Sequence, residues 1–409
     1  MKICIIGGGT AGWWTAAYLE HQFPDFNITL FESPSIPTVG VGESTLPQIG
    51  TFLEDCGLKD EDWMDESNAV VKYGNTKQYW QHGKNEPFDW TFWYNDNNEF
   101  DEWLPEYLNG NKIKDDINKD LYRLAGRRTS GYHLDASLVG QTVKKHCKRI
   151  NHIETTLDEL PQGYDLYIDC TGFRRQFVND KSVIVPEGHL VNSAWVRSFR
   201  VPKGYNINLT QSIARPYGWQ FKVGLQHRIG TGYVYCSDML DDENALEDFN
   251  SYTNDMEPYD DNPPRKISWS PEYLENPWSG NVVCIGIGAG FVDPLEANSL
   301  YTIAYGIKTL GNCIKRGLGE KAYNRSMRKL WRDNCEFIWH HYALSDRSDT
   351  EFWKYYEKID ATKTLWDNYQ TKSNWQTNFY ADAIWATMGL CFDEFKHYRP
   401  KVRRNVEVV

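Results

Sequence analysis

KICIIGGGTAGWWTAAYLE, residues 2–20, reads as a strand, a glycine turn and a helix. An apolar run from Ile3 to Ile6 leads into Gly7, Gly9 and Gly12, spaced as G-x-G-x-x-G, and Trp13 to Leu19 continues as a helix. NITLFE, residues 27–32, then forms a second strand ending in an acid, Glu32, twenty residues after Gly12. Each part has a physical task. Gly7 permits a tight turn, Gly9 lets a pyrophosphate approach the backbone, and Gly12 lets helix and strand pack closely. The helix N-terminus offers N–H groups and a positive dipole end to phosphates. Glu32 can accept the hydrogen bonds of a ribose diol. A lone glycine motif is weak, but strand, glycines, helix, strand and acid in order predict a bound dinucleotide. The motif alone does not separate FAD from NAD.

The 409 residues suffice for one large domain or two ordinary ones. A net charge of −12 argues against a nucleic-acid groove. No apolar run approaches the length of a membrane span. No signal peptide is expected, because the dinucleotide strand begins at residue 2. Nine scattered cysteines without a C-x-x-C pair read as reduced packing thiols of a cytoplasmic protein, and nothing suggests a metal site. The 17 Trp, 25 Tyr and 18 Phe fit either an aromatic core or a pocket for flat ligands, and composition does not choose.

VGVGEST (Val39 to Thr45) reads as a loop beside the cofactor, residues 51–58 as a short helix ending at Gly57, and Ala69 to Trp80 as strand. Residues 81–120 are polar, aromatic and weakly periodic, which predicts a surface excursion or flap. HLDASLVGQTVKK (His133 to Lys145) reads as helix, and YDLYIDCTG (Tyr164 to Gly172) as a strand whose end touches a ligand. Successive antiparallel strands follow over 193–237. Val282 to Gly311 returns to strand, glycine-rich loop and long helix, and 320–409 is mainly helical. The expected fold class is therefore α/β: a Rossmann-type parallel sheet of the flavin monooxygenase type, an antiparallel covering sheet over 190–240, and a mainly helical C-terminal part. The nucleotide unit is discontinuous (1–50, 130–175 and 280–315) within a domain of residues 1–355, with 356–409 packed on it. Two-domain NAD enzymes instead have a contiguous nucleotide domain.

Four segments in order resemble the flavin-dependent halogenases of the tryptophan halogenase type. Gly7 to Ala16 (GGGTAGWWTA) is similar to the family's GGGTAGW opening. Phe31 to Pro47 (FESPSIPTVGVGESTLP) resembles its acid-plus-VGEAT segment. Gly290 to Tyr301 (GFVDPLEANSLY) resembles its F-x-E-P-L-E-S-T-G segment, and His341 to Trp353 (HYALSDRSDTEFW) its HY…SREDTPFW segment. The resemblance runs from residue 1 to about 355. Ordinary flavin hydroxylases share only the first motif closely.

The resemblance implies FAD, reduced by a separate flavin reductase, and a halide co-substrate oxidised with oxygen to hypohalous acid. That oxidant reaches a second site where a lysine activates it and a glutamate assists at an aromatic ring of the indole or phenol type. Expected cofactor residues are Gly7, Gly9, Thr10, Ala11, Gly12, Glu32, Val41, Gly42, Glu43, Trp219, Gly288, Phe291 and Pro294. Halide would sit near the backbone N–H groups of Asn298 and Ser299. Glu296 stands at the family's active-site glutamate; read by itself it would be an acid complementing a helix dipole. The family lysine stands four residues before a tryptophan, which from Trp80 falls on Thr76. Lys77 is one position off, restorable by a one-residue bulge, and Lys72 is the second choice. The family's G-W-x-W-x-I-P reads Gly218-Trp219-Gln220-Phe221-Lys222-Val223-Gly224. Loss of the proline should loosen the backbone there. An aromatic hydroxylase and a non-catalytic flavin-binding protein are the alternatives. No membrane partner is expected, and a homodimer stays open.

Overall fold

The computed structural model describes residues 1–36, 42–83, 87–91, 105–111, 130–357, 359–371, 385, 388–389, 391–397 and 399. Its first layer is a six-stranded sheet in the order Trp278–Ser279, Val282–Cys284, Leu166–Asp169, Lys2–Ile6, Asn27–Glu32 and Asn151–Glu154. Every neighbouring pair is parallel except Trp278–Ser279 against Val282–Cys284. The strands come from three separated stretches of chain. Ile3, Ile5, Leu30 and Ile168 are wholly enclosed, as a parallel sheet covered on its faces requires. Helix Thr10–Gln22 packs on this sheet with Trp14, Ala16 and Leu19 in the core.

The second layer is a seven-stranded sheet: Arg265–Ser268, Ser193–Phe199, Ile229–Tyr235, Gly218–Gly224, Leu209–Arg215, Gly74–Gln78 and Phe88–Thr91. It is wider than the expected 190–240 block because strands before and after that block add to both edges. One pair, Leu209–Arg215 with Gly74–Gln78, is parallel. This pairing carries the segment containing Lys77 into the middle of the molecule. Of the expected flap, Phe88–Thr91 is an edge strand against Gly74–Gln78; most of 81–120 lies outside the described residues.

Two local expectations are corrected. Residues 133–145 are not one helix: Gly131–Leu134 is a strand, and the helix is Ala136–His146. Asp135 is its N-cap, accepting from the backbone N–H of Ser137 and Leu138, which stops the helix from extending backward. The short helix expected at 51–58 is Gln48–Asp55, followed by Gly57 at φ +83.

Helices Asn298–Lys315, Glu320–Ala343, Glu351–Glu357 and Thr362–Thr371 complete the fold. Trp80, Trp219, Tyr342, Trp353, Trp366 and Trp385 share one buried cluster between these helices and the second sheet. Much of the aromatic composition is thus core, while Phe31, Trp219, Phe221, Trp269 and Phe291 line a cavity between the two sheets. All nine cysteines are free thiols. Among the described residues no helix is long and apolar enough to cross a membrane.

Candidate active site

The cavity has a volume of about 770 Å³, within the range of small-molecule and cofactor sites. At one end lies the glycine turn. Gly7 adopts φ +114, and a Cβ there would overlap the Cys170 carbonyl. A Cβ at Gly12 would overlap the Gly7 carbonyl oxygen, so Gly12 serves packing and is not on the cavity wall. Gly9 differs: nothing lies within 4 Å of the space its Cβ would fill. Helix Thr10–Gln22 starts there with no side-chain cap and no acid in its first turn. Its leading N–H groups lack intrahelical acceptors, as an anion site requires.

Glu32 lies across Gly8, where any Cβ would overlap its side chain. Its Oε2 is 3.1 Å from Lys144 Nζ and 2.9 Å from His152 Nε2, and its carboxylate lines the cavity. Open space at Gly9, an uncapped helix start and a fixed acid together fit the diphosphate and ribose of a dinucleotide.

Thr10, Ala11, Gly42, Glu43, Trp219, Phe291 and Pro294 also line the cavity. Val41 lies outside the described residues. Gly288 does not reach the wall. It packs against the Gly172 carbonyl, 2.6 Å from where a Cβ would stand, and its own carbonyl accepts from Arg175 Nε at 2.6 Å. The loop instead turns left-handed at Gly286, φ +98, which puts Gly286 and Ile287 on the wall.

Strand Gly218–Gly224 presents Trp219, Phe221 and Val223 to the cavity by its two-residue alternation. A Cβ at Gly232 would approach the Phe221 ring to 2.7 Å, so that glycine makes room for it. At the position of the missing proline the ladder continues through Val223↔Gly230 and Gly224↔Ile229.

The same cavity reaches Asn75, Glu296, Ala297 and Ser299. Strand Gly74–Gln78 alternates, so Asn75 and Lys77 share one face, while Thr76 turns away and donates to Asp89 Oδ1 at 2.7 Å. Asn75 Nδ2 donates to Glu296 Oε2 at 3.0 Å. Lys77 Nζ donates to Glu296 Oε1, forming a buried ion pair. Lys77 itself is not on the cavity wall; it lies behind Glu296, with Nζ 5.5 Å from the Trp80 ring centroid. No bulge interrupts the pairing from Gly74 to Gln78. Just after the strand, Tyr79 is left-handed at φ +60, before the buried Trp80.

Glu296 owes its direction to an unusual turn. Glu296 and Ala297 are both left-handed, at φ 64 and 56, a conformation that costs a non-glycine residue about 1–2 kcal/mol. Asp293 braces the turn: Oδ1 accepts from the Leu295 N–H at 2.9 Å and Trp219 Nε1 at 3.3 Å, and Oδ2 from the Tyr342 hydroxyl at 2.6 Å. Burial pushes the Asp293 carboxyl up to about 6. Glu296 is therefore not a first-turn acid complementing a dipole, since helix Asn298–Lys315 begins after the turn with Ala297 as N-cap. Asn298 is buried, donating from Nδ2 to the Leu295 carbonyl at 2.8 Å, while Ser299 reaches the cavity.

Burial alone would raise the Glu296 carboxyl, but Lys77 and His341 outweigh it and hold it well below the usual carboxylate range. His341 Nε2 is 3.2 Å from Glu296 Oε1. Lys72 is also fully buried, donating to the Thr45 carbonyl at 3.3 Å, and burial pushes its ammonium down to about 7. Asn75, Asp293 and His341 were missed as site residues. Alternation from Lys77 signals Asn75, and His341 lies in the HY segment.

Residues 2–392 match a family model described as Tryptophan halogenase. Tryptophan 6-halogenase SttH of Streptomyces toxytricini is 30% identical over an alignment covering 86% of this chain and 80% of that protein. Tryptophan 7-halogenase RebH of Lentzea aerocolonigenes is 27% identical, covering 86% and 78%. In fold, the chain is similar to a flavin-dependent halogenase from Xanthomonas campestris with a TM-score of 0.87 at 24% identity, covering 98% of this chain and 90% of that one. With a cavity running from the glycine turn to a buried lysine–glutamate pair, this chain belongs to the tryptophan halogenase family and is a flavin-dependent halogenase.

Proposed function

We propose that this chain halogenates an electron-rich aromatic ring of the indole or phenol class, with Lys77 and Glu296 carrying out the chemistry at the ring. The observation that carries this reading is the Lys77–Glu296 ion pair at the far end of the cavity that begins at Gly9. FAD, held by Gly9, the start of helix Thr10–Gln22 and Glu32, would in reduced form give two electrons to oxygen, which takes two more from halide to yield hypohalous acid and water. A separate reductase in the cytoplasm would supply the reduced flavin. The N–H groups around Asn298 and Ser299, at an uncapped helix start, would hold the halide.

Trp219, Phe221 and Val223 give the cavity an apolar wall, which keeps the oxidant from bulk water. Lys77 has three N–H donors, one of them on Glu296. In the reaction the ammonium, which Glu296 separates from the cavity, would turn past that carboxylate to donate to the oxygen of the hypohalous acid and polarise the oxygen–halogen bond. As the ring's π electrons bond to halogen, that bond breaks and Lys77 gives a proton to the departing hydroxide, forming water. Glu296 takes the proton from the substituted ring carbon. This proton finally recharges Lys77. The sum is hypohalous acid plus arene to haloarene plus water.

The test supplies purified protein with FAD, a flavin reductase, NADH, oxygen and bromide to a panel of indoles and phenols. Mass spectrometry should find products with the bromine isotope doublet. Oxygenated products alone would favour the hydroxylase reading, and neither product with FAD bound would favour a binding protein.

A further inference from the structure

Three side chains beside the cavity form a hydrogen-bonded line whose direction is fixed. His133, on strand Gly131–Leu134, is wholly buried and is the register partner of Ser44 on the short strand Glu43–Ser44. Nδ1 of His133 lies 2.9 Å from the Ile207 carbonyl oxygen and 3.0 Å from that of Gly224. Nε2 lies 2.7 Å from Thr210 Oγ1, and Thr210 Oγ1 lies 2.8 Å from Ser44 Oγ. Ser44 and Thr210 line the cavity, and His133 stands behind them.

Both partners of Nδ1 are carbonyls, which only accept, so Nδ1 carries a proton. The ring is neutral. Its polar contacts are two carbonyls and a hydroxyl, and the charged group acting on it is the Lys72 ammonium. An imidazolium would be buried there without a counter-ion and beside another cation; burial and then Lys72 push the ring down to about 3. Nε2 therefore presents a lone pair, which takes the one Thr210 hydroxyl proton. Thr210 then has only lone pairs left for Ser44, so Ser44 donates to it. A serine hydroxyl ordinarily turns to suit donor or acceptor. This one has its hydrogen held on Thr210 and offers the cavity lone pairs alone.

Strand Leu209–Arg215 runs between Gly218–Gly224, which carries Trp219 and Phe221, and Gly74–Gln78. Thr210 is the register partner of Asn75, which holds Glu296. The acceptor thus stands beside the aromatic wall, on the way from the glycine turn to the Lys77–Glu296 pair. We infer that Ser44 is a cofactor-binding residue that favours reduced FAD, accepting a hydrogen bond from the ring N–H that reduction adds. This rests on FAD occupying the cavity, as proposed above. Two-electron reduction converts the bare N5 nitrogen, at the reacting edge of the flavin ring, into an N–H donor. Oxidant made at that edge must reach Lys77 along the wall that bears Thr210 and Asn75. A hydroxyl that only accepts matches N5–H and sets lone pair against lone pair when N5 is bare. Such a site admits the form that can reduce oxygen and lets the spent form go. Thr210 and His133 act through Ser44 and are positioning residues. Ser44 stands where the VGEAT segment carries alanine, so its hydroxyl is not part of the shared pattern.

The test measures dissociation constants of oxidised FAD and, without oxygen, of dithionite-reduced FAD for wild type, Ser44→Ala and Thr210→Val. Ser44→Ala should weaken reduced FAD about fivefold, the worth of one hydrogen bond, and leave oxidised FAD no weaker. Thr210→Val keeps Ser44 but releases its proton to turn into the cavity. The preference for reduced FAD should fall there too, chiefly through tighter binding of the oxidised form. A general defect in the cavity weakens both forms alike and cancels in the ratio of the two constants. Should Thr210→Val fail to fold, because it strands Nε2 of His133, Ser44→Ala decides. An unchanged ratio in Ser44→Ala, with both forms bound, overturns the role of Ser44 alone. A wild type that binds FAD in neither form overturns the cofactor reading and this role with it.

Discussion

Lys77 and Glu296, 219 positions apart in sequence, meet as an ion pair with side chains only 2% and 5% exposed. Breaking a buried pair strands the remaining charge, at about 3–5 kcal/mol, whereas removing both partners is far milder. Lys77→Met should therefore destabilise the protein to urea by about 3 kcal/mol, with Glu296→Gln added on top restoring most of the loss. Both variants should lack halogenation. Stability regained without activity would separate the pair's chemistry from its packing.

Lys72 answers differently. Burial drives its pKa from 10.5 to about 7, so between those values the unfolded chain binds the extra proton. The contribution of this group to stability then rises with pH across that window, and below pH 7 the full cost of burying an ammonium is present. Lys72→Met should raise stability by roughly 2 kcal/mol at pH 6.5, a gain that shrinks as the pH approaches 10. Urea unfolding at several pH values checks the sign.

Gly9 and Gly12 serve different ends in one motif. Gly9→Ala meets nothing within 4 Å, so the melting temperature should hold while FAD binding, followed by flavin fluorescence, weakens about tenfold. Gly12→Ala drives a methyl into the Gly7 carbonyl and should lower the melting temperature as well as FAD affinity.

The turn that aims Glu296 is strained. Ala297, at φ 56, should accept glycine with a gain of about 0.5–1 kcal/mol, the left-handed cost less the entropy glycine loses. Ala297→Val should lose about 1–2 kcal/mol. Halogenation by the glycine variant should fall, because a freer turn holds the carboxylate less firmly against Lys77.

The glycine turn and Glu32 were legible because their chemistry is local: a turn, a helix start and an acid at fixed spacing. Glu296 was legible through its segment. Lys77 could be placed only to within a residue, because spacing from Trp80 does not show the left-handed Tyr79 that intervenes. The parallel pairing of Gly74–Gln78 with Leu209–Arg215 is a long-range event that no local pattern encodes, and it decides what Lys77 faces. Gly288 was expected at the cofactor, but the left-handed turn falls at Gly286, so Gly286 and not Gly288 lines the cavity, a distinction that glycine spacing does not carry. Asp135 marks a boundary the sequence reading ran through: it caps helix Ala136–His146, whereas the helix was expected from His133.

In the proposed reaction Lys77, not Lys72, delivers halogen to the ring from beside Glu296. The most direct measurement is brominated product per minute for Lys77→Met and Lys72→Met under identical reductase, FAD and bromide, with FAD affinity confirmed for each. Product from Lys77→Met should fall at least about a hundredfold below wild type, with a much smaller loss for Lys72→Met. Wild-type bromination by Lys77→Met, with product lost in Lys72→Met, would contradict it.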